Sequence, residues 1–138
     1  NVETMKNRNM NITEEKIDKF RYGSKESHIF LSLCYKSAIH FNPIMKGNFP
    51  EQDHILSKHE LMEIDKNKVN SIYNIRYVTL TDNRSKSKEP FIEWMNKLGP
   101  NKERVFKAHL IPDGNWDAAR FDEFLALRKK LMIEALKY

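Results

Sequence analysis

Apolar residues recur along this chain at two periods, and the polar runs between them mark where one element gives way to the next. Residues 1 to 11 hold few apolar anchors and read as a frayed leader. In "TEEKIDKF", Ile17 and Phe20 turn inward behind Thr13, which predicts a short capped helix ended by Gly23. The run "SKESHIFLSLCYKSAIHF" sets Ile29, Leu33 and Ser37 at helical spacing with Phe30 and Cys34 alongside, a core helix behind Ser24 or Ser27. Pro43, Gly47 and Pro50 then make a loop that delivers the chain into a strand ending near "QDHIL". "EIDKNKVNSIYN" is too rich in Lys, Asn and Asp for a core and reads as the long loop of a hairpin. "IRYVTLT" alternates β-branched and aromatic residues and is the clearest strand. "DNRSKSKEPFIEWMNKLG" offers Asp82 as a cap and Gly99 as a stop, with Pro90 either breaking the helix or opening a second one. The tail "NWDAARFDEFLALRKKLMIEALKY" puts Phe121, Phe124, Leu125, Leu131, Met132, Ala135 and Leu136 on one face behind Asp117, an amphipathic closing helix at about 117–137. The order strand, loop, strand, helix sits inside a helical frame, so the fold class is α+β, with no internal repeat.

Composition narrows this picture only a little. A chain of 138 residues with 40% apolar content is long enough for one domain with its own core. The pattern divides it into a leader and short helix over 1–23 and a single domain over 24–138. The formal charge of +5 would attract a polyanion, yet it also suits an ordinary globular protein. One cysteine, Cys34, excludes an internal disulfide framework and a four-cysteine zinc site, which points to a reducing, cytoplasmic setting. No apolar run approaches the roughly 18 residues needed to cross a bilayer. The chain starts at Asn1, which predicts either a processed chain or, as the preferred reading, a piece cut from a longer protein.

Candidate chemistry centres on "DHILSKHEL" at the end of the first strand. A lone Asp53–His54 pair ordinarily means a buried, hydrogen-bonded imidazole beside a solvated carboxylate, because strand neighbours point to opposite faces. The remaining histidines, His28, His40, His59 and His109, lack the cysteine partners and spacing of a zinc site. Trp94 and Trp116 read as core anchors, and "LRKK", Leu127 to Lys130, as a solvated helix end.

What lifts the pair above its ordinary reading is "NIRYVTLTDNRSK": Asn74 precedes the second strand, Asn83 follows nine residues later, and Lys86 three beyond that. With the Asp-His on the first strand, this resembles the HNH nucleases of the ββα-metal fold. The blocks "FPEQDHILSK", "IYNIRYVTLTDNRSKSKEPFIEWM" and "HLIPDGNWDAARFDEFLALRKKLMIEAL", in that order, are similar to the C-terminal HNH domain of GmrSD-like type IV restriction enzymes. The likeness covers roughly Tyr22 to the end. It departs from the family pattern at Ser57, often proline in relatives, and at Asn83, often histidine.

The resemblance implies a ββα-metal (HNH) hairpin-helix core over about 49–98, embedded in surrounding helices. It implies hydrolysis of DNA phosphodiesters with Mg²⁺ or Mn²⁺, in bacterial restriction and antiviral defence, alongside an upstream ParB-like nucleotide-hydrolysing domain and with pairing into a homodimer left open. His54 suits the general base, since a neutral imidazole can take a proton from water near pH 7. Asp53 and the amide oxygen of Asn83 are hard ligands for the divalent ion. Asn74 and Asn83 join His54 in the catalytic motif, Asn74 by holding the loop and orienting His54. Arg76, Arg84, Lys86 and Lys88 are the expected contacts to the nucleic-acid backbone. Two other readings stand beside this one: a DNA-binding module that has lost cleavage, and a partner-docking domain that binds no DNA.

Overall fold

The computed structural model describes residues 14–35, 51–78 and 89–136. Its helices in chain order are α1 (Glu14–Asp18), α2 (Lys25–Tyr35), α3 (Lys66–Val69), α4 (Phe91–Leu98), α5 (Lys102–Ala108) and α6 (Phe121–Leu136). Strands β1 (Glu51–His54) and β2 (Ile75–Val78) form a two-stranded antiparallel sheet. Glu51 faces Val78, Gln52 faces Tyr77, Asp53 faces Arg76 and His54 faces Ile75. The architecture is thus mixed α+β. The helix expected behind Asp82 and the loop through Pro43 and Gly47 lie outside the described residues.

Local chemistry accounts for where most elements start and stop. Ser24 caps α2, its Oγ accepting from the Ser27 N–H at 3.1 Å. Pro90 opens α4 rather than breaking it: its φ of −60° suits the residue before the first turn, and Gly99 ends the helix at φ +54°, where a side chain would be strained. Asp117 caps the 3₁₀ turn that leads into α6 by accepting from the Arg120 N–H at 3.1 Å.

Three expectations need correction. The buried face of α2 is Phe30, Leu31, Cys34 and Tyr35, whereas Ile29 is 46% exposed. Both stripes have helical spacing, and packing against Met132 of α6 and the sheet residues Ile75 and Tyr77 selects one of them. The polar stretch before β2 is not an open loop. Asp65 caps α3 by accepting from the Asn67 N–H, Ser71 accepts from the Tyr73 N–H, and Val69, Ile72 and Tyr73 turn inward. The third correction falls on "LRKK": Arg128 is fully buried. Its guanidinium donates to three carbonyls, Leu110 at 3.0 Å, Tyr73 at 2.8 Å and His109 at 3.2 Å. A planar fork of donors can satisfy acceptors from two separate turns at once, which a solvated lysine could not do.

Two apolar clusters flank the hairpin. One gathers Ile55, Leu56 and Leu61 with Phe91, Phe106, Trp116 and Phe124. The other joins Ile17 of α1 to Phe30, Leu31, Tyr35, Ile72, Ile75 and Met132, so α1, which lies before Gly23, packs on this cluster. Trp116 anchors its cluster as expected and donates from Nε1 to the Pro112 carbonyl at 2.8 Å. Burial pushes the Cys34 thiol up to about 12, which leaves it unreactive at neutral pH. Among the described residues no helix is long and apolar enough to cross a membrane.

Candidate active site

The hairpin register decides what surrounds the Asp-His pair. Asp53 lies directly across from Arg76, and the Arg76 Nε donates to Asp53 Oδ2 at 3.3 Å. The ring of Trp94 from α4 covers the guanidinium at 4.6 Å. Asp53 is 7% and His54 8% exposed, so the ordinary picture of a solvated carboxylate beside a buried imidazole does not apply here. Both groups are buried. Arg76, expected at a DNA phosphate, is 3% exposed, and its charge serves Asp53 in this arrangement.

His54 occupies the opposite side of the strand. Its Nε2 lies 2.8 Å from Asn70 Oδ1, just past α3, and the Tyr22 ring lies against it with centroids 4.4 Å apart. Lys58 stands 5.4 Å from the centre of that tyrosine ring.

Asn74 ties down the chain immediately beyond His54. It is fully buried at the foot of β2. Its backbone carbonyl accepts from the Ile55 N–H at 2.7 Å, and its Oδ1 accepts from the Leu56 N–H at 2.9 Å. Its Nδ2 donates to the carbonyls of Leu56 and Val69, each at 3.0 Å. Both amide protons are committed and the oxygen faces a backbone donor, so this side chain holds the two ends of the hairpin loop and is no metal ligand.

Ser57, the departure from the family pattern, has a local purpose. Its N–H donates to Glu60 Oε2 at 3.0 Å and its Oγ accepts from the Glu60 N–H at 3.2 Å, while the same carboxylate oxygen accepts from the Phe91 N–H at 2.9 Å. A proline at this position would have no N–H to give. Glu60 thereby joins the exit of β1 to the first turn of α4, where a negative charge also meets the positive end of the helix dipole.

Asn83, Arg84, Lys86 and Lys88 lie outside the described residues, so the hairpin presents one half of the expected constellation. Among the described residues no group of three His, Cys, Asp or Glu side chains converges. A site for Mg²⁺ or Mn²⁺ takes one or two protein carboxylates and fills the rest of its shell with water and phosphate. Asp53 fits as one such oxygen donor. Its charge is already balanced by Arg76, however, so a second donor has to come from beyond the hairpin.

Two of the other histidines, His28 and His109, are structural. His28 Nδ1 is 2.7 Å from Tyr77 Oη. His109 Nδ1 is 2.9 Å from Tyr35 Oη. Burial, reinforced by the nearby charges of Arg76 and Arg128, holds the His109 imidazole well below its usual 6.5, so the ring that meets the tyrosine is neutral at pH 7. His59 is exposed, and His40 lies outside the described residues.

Sequence reasoning missed Tyr22, Asn70 and Glu60. Glu60 carried a signal, the Ser-x-x-Glu spacing of a capping box. Tyr22 and Asn70 carried none, because only the fold brings residues so far apart to one ring. Scanned against models of known protein families, the chain matches none, and it matches no curated protein either.

Proposed function

We propose that this chain is a metal-dependent DNA endonuclease domain with a ββα-metal core, which hydrolyses phosphodiester bonds in the restriction of foreign or modified DNA. The observation that carries the reading is the pinning of Ile55 and Leu56 by Asn74, beside an imidazole and a carboxylate at the end of β1. A general base works only when it is held within hydrogen-bond reach of the water it deprotonates, and a strand end fixed on its exit side supplies that restraint. His54 takes the proton as water attacks the phosphorus. Asp53 and Asn83 would hold the Mg²⁺ or Mn²⁺, whose charge, when bound, offsets that on the phosphate and the departing oxygen. Arg84, Lys86 and Lys88 would meet the phosphate backbone, and an upstream ParB-like, nucleotide-hydrolysing region would select the DNA. Resemblance alone supplies the defence setting.

One observation favours a second reading, a DNA-binding module without cleavage: Arg76 neutralises the carboxylate that a cation would need. Nicking of supercoiled plasmid in Mg²⁺ or Mn²⁺, compared with His54→Ala, separates the two. The endonuclease reading expects cleavage that the variant lowers by about two to four orders of magnitude with its fold retained. Salt-sensitive binding without nicking would leave the binding module.

A further inference from the structure

The imidazole of His54 is gripped by two residues that no part of the sequence motif includes. Asn70 offers its side-chain carbonyl 2.8 Å from Nε2. A carbonyl oxygen has no proton to donate, so this hydrogen bond requires the ring proton on Nε2. Tyr22 packs on the ring with its plane tilted by 34°.

The two walls are fastened to each other. The Tyr22 N–H donates to the Asn70 carbonyl at 2.7 Å, and the Ile72 N–H donates to the Phe20 carbonyl at 3.1 Å. Arg21 and Ser71 form an antiparallel bridge between them. The segment after α1 is thus strapped along the far end of the hairpin loop, and the Gly23 N–H donates to Gln52 Oε1 of β1 at 2.7 Å, tying the strap to the strand that carries His54.

We propose that Asn70 and Tyr22 are positioning residues for His54, together fixing the ring's tautomer and its angle. The inference rests on the endonuclease reading for its consequence in catalysis, but not for the clamp itself. Asn70→Ala removes the acceptor while leaving the backbone carbonyl that receives Tyr22. Asn70→Asp keeps an acceptor oxygen, and Tyr22→Phe keeps the ring.

Nitrogen and proton NMR of the parent chain, labelled in its histidines, should show a His54 Nε2–H proton in slow exchange with water. That signal should persist in Asn70→Asp and Tyr22→Phe and vanish in Asn70→Ala, with circular dichroism unchanged in all. In plasmid cleavage, Asn70→Ala should lower kcat by about tenfold to a hundredfold, with KM changed less than about twofold, and Asn70→Asp should recover most of the loss. A proton found on Nδ1, or an Nε2–H signal that survives Asn70→Ala, overturns the clamp whether or not the chain cleaves DNA. Cleavage by the parent with an undiminished kcat in Asn70→Ala overturns the positioning role. A parent that shows the predicted signal and cuts nothing leaves the clamp standing and removes the endonuclease reading.

Discussion

Asp53 is where candidate chemistry and stability meet in one side chain. Its carboxylate is the only charge that compensates Arg76 among the described residues, and both are buried. Asp53→Ala would therefore strand a buried guanidinium and should destabilise the fold by about 3 to 5 kcal/mol, whereas Asp53→Asn keeps an acceptor for Nε and should cost clearly less. Urea unfolding of both variants checks this, and equal losses would mean that Arg76 finds water instead. Metal binding is accordingly better probed with Asp53→Asn. At this scale the sequence was legible where an interaction is local: the Asp-His pair and the Gly99 stop can each be read from a few neighbours, and the cap of α2 can be narrowed to Ser24 or Ser27. The Asp53–Arg76 pair was not, because a partner 23 residues away depends on the hairpin register.

At the scale of elements, α6 departs furthest from what its pattern suggests. Phe121, Phe124 and Met132 line the buried face as their spacing implies, yet Arg128 lies among them. It is held by carbonyls of the turn after α5 and of the 3₁₀ turn Ile72–Asn74, so it joins α6 to the turn that ends in Asn74. Arg128→Met fills similar space and leaves those three carbonyls without their donor, and should cost about 3 to 5 kcal/mol. Arg128→Lys should recover only a minor part, since one ammonium cannot span both turns. A loss under about 1 kcal/mol in urea titrations of Arg128→Met would show that the carbonyls are satisfied without it. Charge in a helix pattern ordinarily means solvent, and only the carbonyls gathered from elsewhere reverse that rule.

For the whole molecule, a polar network runs between the layers: Tyr35 of α2 receives the Tyr77 N–H of β2 at 3.1 Å and shares a hydrogen bond with His109 behind α5. Because the folded state holds His109 well below 6.5 while the unfolded chain titrates near that value, the unfolded chain binds more protons between the two. Stability is then complete above about pH 6.5 and falls as pH drops below it, by up to about 1.4 kcal/mol per pH unit. Thermal unfolding from pH 7.5 to 5 should show this slope, and His109→Gln should flatten it; an identical slope in the variant would assign the acid sensitivity elsewhere. By itself the sequence determined the mixed α+β class, the two strands, the closing helix and the residues at the Asp-His turn, because those follow from periodicity and caps acting over a few residues. Tertiary structure alone decided which stripe of α2 is buried, that Arg128 and Arg76 lie inside, and that Tyr22 and Asn70 enclose His54. Each of these depends on surfaces and carbonyls brought together from distant parts of the chain, and desolvation rather than local propensity selects among the arrangements the pattern allows.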